Sequence, residues 1–232
     1  MTLDIVIPAL NEHENLKKLL PFLREHSNEH STNIIVVDAK NSNDNTETLC
    51  HDWKCVYRKS QHCQRASQLN EGATLSSADS IMFLHADVFP PQSFVQDIEN
   101  CHITGKDCGM FSYRFDKPRF LLKVNQYFTK FDSSLSGGGD QCFFILKSAF
   151  DKHNGFNENF CLMEDFELFR RLKKEKVSYK IVNSPATVSA RKYENNSWLR
   201  VNLVNFLTFQ KFKKSVPPEE LSRFYKKWLN PF

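Results

Sequence analysis

Asp87 follows the apolar run Ile81, Met82, Phe83 and Leu84, with His85 two residues earlier on the same side of an extended chain. An acid just beyond such a strand suits the holding of a divalent cation on oxygen ligands against two adjacent phosphates, with His85 near the metal or the nucleotide. The same Asp87 could instead cap the turn before Pro90 and Pro91, leaving His85 an ordinary pocket residue. Glu164 and Asp165 adjoin one another after apolar Leu162 and Met163 and before a helical segment, which can place one carboxylate in a pocket. Asp165 is the candidate general base for a hydroxyl group, with Glu164 beside it. The competing reading assigns both acids to the positive end of that helix.

Asp38 ends another apolar run and precedes a turn, Ala39 to Thr46, rich in side chains that bond to backbone. It could accept hydrogen bonds from a base or a ribose, whereas turn and cap chemistry accounts better for Asp44 and Thr46. Arg65, Gln68 and Asn70 fall on a predicted helix, where positions three apart share a face. Arg65 could reach a diphosphate, or the three could form a solvated surface.

The elements that must position these groups alternate. Leu3 to Ala9, Ile34 to Asp38, Val56 to Arg58 and Ser80 to Leu84 read as strands, each followed by an amphipathic or polar segment. That pattern predicts an α/β fold with a mostly parallel central sheet flanked by helices. Ligands of such sheets collect beyond the carboxyl ends of the strands, which gives Pro8 to Glu12, Asp38 to Asp44 and His85 to Asp87 first claim on a shared pocket. Asn11 is the expected cap of the first helix, and Pro21 is expected to kink or end it early. Further on, Met110 to Phe115 and Cys142 to Leu146 read as strands and Asp165 to Lys174 as a helix. Ser133 to Gly139 is the strongest loop signal, a natural lid or acceptor gate. No glycine-rich dinucleotide fingerprint or phosphate-cradling loop follows any strand, which argues against nicotinamide dehydrogenases and nucleotide hydrolases.

With 232 residues, 41% of them hydrophobic, the chain suits one sizeable core with an appended helical tail. A net charge of +4 is far from a nucleic-acid footprint, so no nucleic-acid partner is expected. Seven scattered cysteines without a Cys-x-x-Cys pair read as reduced thiols of a cytoplasmic protein, and Met1 to Asp4 lead into Ile5 without a basic leader or cleavage site.

Taken in order, these blocks resemble the family 2 glycosyltransferases. The similar residues are Ile5 to Glu12, Val37 and Asp38 through Asp44 and Thr46, then Arg65, Gln68, Asn70, Gly72 and Ala73, then Phe83 to Asp87, and finally Met163 to Asp165. They run from residue 3 to about residue 175. The resemblance implies the nucleotide-diphospho-sugar transferase fold called GT-A and inverting transfer from a nucleotide-diphosphate sugar to a hydroxyl acceptor. It implies donor contacts at Pro8, Ala9, Asn11, Glu12, Asp38, Arg65, His85 and Asp87. Manganese or magnesium would lie on Asp87 with His85, and Asp165 would be the base. A closer resemblance is to a bacterial subgroup with His85, Ala86, Asp87 at the metal motif, Gly139, Asp140, Gln141 before the last core strand, and Ser189 to Lys192 further on. Some members of that subgroup are associated with arsenosugar biosynthesis. His85 stands where many family members have Asp, and Lys40 and Asn41 replace glycines usual after Asp38. The Gln/Arg-x-x-Arg-Trp motif of processive synthases is absent, which favours transfer of one sugar. A binding protein that keeps the nucleotide pocket without transfer is the alternative.

Residues 1–195 are expected to form the catalytic domain and 196–232 a helical extension. Trp198 to Phe212 alternates apolar residues with basic flanks. The segment 198–214 could rest peripherally on the inner face of a membrane, pack on the domain, or meet a second copy of the chain. No stretch reaches the ~20 apolar residues of a spanning helix.

Overall fold

The computed structural model describes residues 1–28, 30–117, 119–132 and 137–230. The chain order is β1 (Leu3–Ala9), α1 (His13–Glu25), β2 (Thr32–Asp38), α2 (Thr46–Asp52), β3 (Val56–Lys59), α3 (Arg65–Leu75), β4 (Ser80–Phe83) and β5 (Val88–Phe89). It continues with α4 (Phe94–Ile103), β6 (Cys108–Phe115), α5 (Phe120–Phe128), β7 (Phe144–Leu146), α6 (Lys147–Lys152), α7 (Glu164–Lys174), β8 (Tyr179–Val188), α8 (Trp198–Lys213) and α9 (Pro218–Trp228). The strands form one sheet in the order β3-β2-β1-β4-β7-β6-β8-β5. Its first four strands are parallel, β7 runs antiparallel to β4 and β6, and β8 is parallel to β6 with β5 antiparallel at the edge.

Both faces of the sheet are covered, which is why β1 is buried at every position. Leu3, Ile5 and Ile7 face a cluster with α1 and α4, while Val6 joins Val37, Ala66, Leu69 and Leu168 on the opposite face. Gly72 lets α3 lie close on that second face, since a Cβ there would stand 2.3 Å from Val6 Cγ1. Among the described residues no helix is long and apolar enough to cross a membrane.

Several local expectations give way to tertiary packing. Asn11 does not cap α1: it sits in the left-handed region (φ 54), and Glu12 is the residue before the helix. Its side-chain oxygen accepts the Asn43 N–H at 2.9 Å, linking the end of β1 to the turn after β2. Pro21 does not end α1, which runs on to Glu25. An internal proline costs about 3 kcal/mol. Burial of Leu16, Leu19, Leu20 and Leu23, each contributing roughly 1.5–3 kcal/mol, outweighs it. Arg65, Gln68 and Asn70 do not converge on α3. Gln68 turns inward and donates to Ala9 O at 2.9 Å and Val37 O at 2.7 Å. Asn70 clasps the backbone of Phe156 from both sides, accepting its N–H and donating to its carbonyl, each at 2.9 Å. The long β8 and short β5 are not among the strands that the sequence predicts. Of the expected loop only Gly137 to Gly139 falls within the described residues; Ser133 to Ser136 lie outside them.

The seven cysteines are unpaired: Cys50, Cys101, Cys108 and Cys142 are buried, whereas Cys63 is exposed just before α3. Burial pushes the thiols of Cys50 and Cys108 up to about 12.

Candidate active site

The cleft is assembled at the carboxyl ends of β1 and β4, the start of α3, the start of α7 and the turns after β8 and before β7. Arg65, the first residue of α3, bridges its two sides. Its Nε stands 3.0 Å from Glu164 Oε1, and its Nη1 lies 3.0 Å from His85 Nε2. Glu164, with its side chain 3% exposed, is the acid turned inward. Its charge raises the Arg65 guanidinium pKa despite burial, and Asp165, Asp140 and Asp87 act in the same direction. The cation is thus the common neighbour of all four carboxylates.

Asp165 stands at the start of α7, after Met163 in the left-handed conformation (φ 68). Consecutive helical residues point about 100° apart, which sends Glu164 to Arg65 and Asp165 to the Gly139 N–H. Asp165 Oδ2 accepts the Gly139 N–H, and its Oδ1 accepts its neighbour's Phe166 N–H at 2.7 Å. Burial and the charge of Glu164 push the Asp165 carboxyl up to about 7, with Arg65 and His85 opposing. Gly139 has no room for a side chain: a Cβ would stand 2.3 Å from His85 Nε2 and 3.0 Å from Asp165 Oδ2.

His85 Nδ1 lies 3.7 Å from Asp140 Oδ1, an ion-pair distance rather than a hydrogen bond. Desolvation by the surrounding groups opposes ionisation of the half-exposed Asp140, but His85 and the charges of Lys192 and Arg65 bring its pKa below the ordinary value. Both His85 nitrogens are therefore directed at protein groups, Arg65 and Asp140. Asp87 lies across the cleft, where Arg191 Nη2 approaches its Oδ2 at 3.1 Å and Glu12 Oε1 at 3.5 Å. The Asp87 side chain is 21% exposed, a carboxylate open to the cleft. Among the described residues no three His, Cys, Asp or Glu side chains gather as a ready-made metal site. A hard cation that carries its own phosphate and water oxygens fits one or two protein carboxylates, and Asp87 with Glu12 offers these. The Arg191 guanidinium already shows that a positive charge is accepted between them.

The remaining donor candidates form a second group beside the first. Asp38 is buried, with Oδ2 accepting from Lys59 Nζ at 2.8 Å and Tyr57 Oη at 3.1 Å, while its Oδ1 has no hydrogen-bond partner among the described residues. Lys59 also donates to Ser42 O at 2.7 Å, and Ser42 Oγ accepts the Asn11 N–H at 3.0 Å. Pro8 and Ala9 are buried beneath this group at the end of β1. Asp44 accepts from the His13 and Thr46 N–H groups at 2.8 Å and 3.2 Å, the turn role its position implies. The structure thus joins Arg65, His85 and Glu164 directly, sets Asp165 within electrostatic reach of them beside Gly139, joins Glu12 and Asp87 through Arg191, and sets Asp38 and Asn11 apart. The sequence alone assigns no role to Arg191, Lys192 or Asp140, although the motifs that contain them are visible in it.

The sequence matches glycosyl transferase family 2 over residues 4–173. The chain belongs to that family. It is a glycosyltransferase, and its mostly parallel, helix-flanked sheet is the GT-A fold. Curated protein sequences give no match to this family 2 chain. Among solved structures it is similar to S. aureus TarS 1-349, with 10% identity, a TM-score of 0.64, and coverage of 98% of this chain and 70% of that one. The same fragment in complex with UDP-GlcNAc gives a TM-score of 0.64 at 10% identity, covering 98% and 71%. Full TarS gives 0.62 at 10% identity, covering 98% of this chain and 43% of TarS. At such identity the likeness is one of fold. Nothing in these comparisons separates out the arsenosugar subgroup.

Proposed function

We propose that this family 2 glycosyltransferase moves a single sugar from a nucleotide-diphosphate sugar to a hydroxyl acceptor with inversion, and that Asp165 is the general base. The observation that carries the reading is the placement of Asp165. It is fixed by the Gly139 N–H on one side of the cleft, and burial together with Glu164 brings its carboxyl pKa near neutrality. A base in that range both exists deprotonated and retains driving force to take a proton.

In the proposed step the acceptor O–H proton passes to an Asp165 carboxylate oxygen as the acceptor oxygen forms its bond to the anomeric carbon. On the opposite side the bond from that carbon to the diphosphate oxygen breaks, and its electron pair leaves on the phosphate. Arg65 supports the step from its position beside His85, within electrostatic reach of Asp165, while Glu164 holds the guanidinium in place. Asp38, through the Oδ1 that no described residue engages, is the acceptor for a donor group of the base or ribose. Asp87 and Glu12 are the residues that would hold manganese or magnesium, which neutralises the diphosphate when bound. We place the catalytic domain at residues 1–195, a helical extension at 196–232, and the protein in the reducing cytoplasm that its seven unpaired thiols suit.

UDP and UDP-GlcNAc are the first donors to test, because a protein of this fold, TarS, was crystallised with UDP-GlcNAc. The test is calorimetric titration of the chain and its Asp87→Ala and Asp165→Asn variants, with and without manganese, beside a transfer assay. Asp87→Ala is expected to remove the manganese-dependent part of nucleotide binding. Asp165→Asn is expected to keep binding and lose transfer. Unchanged turnover in both variants would overturn the assignment, and tight donor binding without transfer across a broad acceptor panel would make the chain a binding protein.

A further inference from the structure

Helices α5 and α8 meet at Asn125. Asn125 Nδ2 donates to Asn202 Oδ1 and to Tyr193 Oη, each at 3.1 Å, and Trp198 Nε1 donates to Asn125 Oδ1 at 3.2 Å. On the inner flank Leu122, Val201 and Val204 enter the core. On the outer flank the two helices present large apolar side chains to solvent: Phe120 is 80% exposed, Phe128 64%, Leu199 72% and Leu203 59%. With Leu121, Val124 and Tyr127, the exposed α5 positions fall within an arc of about 120° at 100° per residue. They start beside Asn125, where α8 meets α5, so the α5 and α8 stripes adjoin there. Its apolar content is far above the scattered surface residues that need no explanation.

Charge selects what covers this face. Neither α5 nor α8 contains an acidic residue, while α5 carries Lys123 and α8 carries Arg200, Lys211 and Lys213. Lys123 lines a shallow surface depression together with Phe120, Val124, Tyr127 and Phe128. Of the neighbouring acids, Asp132 is matched by Lys173 and Glu194 by Lys117, and Asp116 accepts the Ala190 N–H at 2.9 Å. Pairing two copies of the chain through this face would set cations against cations. Anionic phospholipid headgroups supply the missing charge, acyl chains accept the phenylalanines, and a lysine stem can lie along them with its ammonium in the headgroup layer.

We propose that the joint face of α5 and α8 docks the protein on an anionic phospholipid surface, with the phenylalanine side chains entering the acyl boundary. This goes beyond the sugar-transfer reading and is independent of it.

The test is flotation of the full chain with vesicles of phosphatidylcholine alone and of phosphatidylcholine mixed with phosphatidylglycerol, at low and high salt, beside sedimentation velocity without lipid. The chain is expected to float with the anionic vesicles, less so at high salt, and to remain largely unbound with neutral ones. Replacing both exposed rings, Phe120→Ser with Phe128→Ser, is expected to lower the partition coefficient by roughly tenfold or more. Lys123→Glu is expected to lower it and to flatten its salt dependence. These side chains are solvent-exposed, so thermal unfolding followed by circular dichroism should be unchanged and a loss of binding cannot be ascribed to misfolding. The proposal is overturned if the chain stays unbound with anionic vesicles at low salt, or if the double variant floats as the parent does. It is also overturned if sedimentation shows a dimer that the same two substitutions dissolve, which would make a second copy the occupant.

Discussion

Arg191 and Asp87 form an ion pair across the cleft, Nη2 to Oδ2 at 3.1 Å, although 104 residues separate them in sequence (191 − 87). The same guanidinium nitrogen lies 3.5 Å from Glu12. The arginine therefore stands where the donor's cation is proposed to lie. Replacing Arg191 with Gln should leave two uncompensated carboxylates. Manganese affinity without nucleotide is expected to rise by up to about fivefold, the scale of a partly exposed ion pair. Nucleoside diphosphate affinity without metal should fall, because a cation facing the phosphates has been removed. Calorimetry with each ligand alone measures both directions.

Asp165 must be ionised to take a proton. Its raised pKa predicts that kcat/KM climbs as pH rises through the neutral range and then levels. Asp165→Asn should reduce kcat by about 10²–10⁴-fold and abolish that limb of the profile. The same shift acts on stability. The folded pKa lies above the unfolded value of 3.8, so the group's favourable contribution is complete below that value and is lost as pH rises through about 7. The Asn variant should therefore melt higher than the parent in mildly alkaline buffer, an advantage that vanishes in acid.

Gly139→Ala tests the crowding beside the proposed base, Asp165. The added methyl group meets His85 Nε2 at 2.3 Å and Asp165 Oδ2 at 3.0 Å, so one of those side chains must shift. A displacement on this scale at the reacting centre is expected to lower kcat by on the order of 10- to 100-fold. Nucleotide affinity, measured by titration, should change far less.

Gly72→Ala tests the sheet rather than the site. Its methyl group would press on Val6 Cγ1 at 2.3 Å and Val37 Cγ2 at 3.1 Å, both buried side chains. Overpacking of this kind costs about 1–3 kcal/mol. Urea unfolding should show the midpoint falling at unchanged slope, and the folded fraction should keep its specific activity.

Most of the parallel half of the sheet is legible in the sequence because β1, β2 and β4 are short apolar runs buried on both faces, and the ends of β2 and β4 mark out Asp38, His85 and Asp87. Glu164 and Asp165 stand out together, but their division of labour does not. It depends on Arg65 arriving from a helix about a hundred residues earlier and on the Gly139 N–H reaching Asp165. Asn11 has the composition of a cap, yet its side chain satisfies an amide 32 residues away, a partnership invisible to local rules. Arg191 escapes a local reading for a related reason. It follows β8, whose burial pattern lacks regular alternation, and its partners come from the ends of β1 and β4 rather than from its own neighbourhood.

The uneven burial of the thiols makes the protein its own optical probe. Cys63 is the exposed cysteine, two residues before Arg65, while Cys50, Cys101, Cys108 and Cys142 are shut away in the interior. A maleimide dye used sparingly should label that position first, placing a fluorophore beside the helix that carries the cleft's bridging cation. Donor arrival could then be followed by emission in real time, without engineering a single residue.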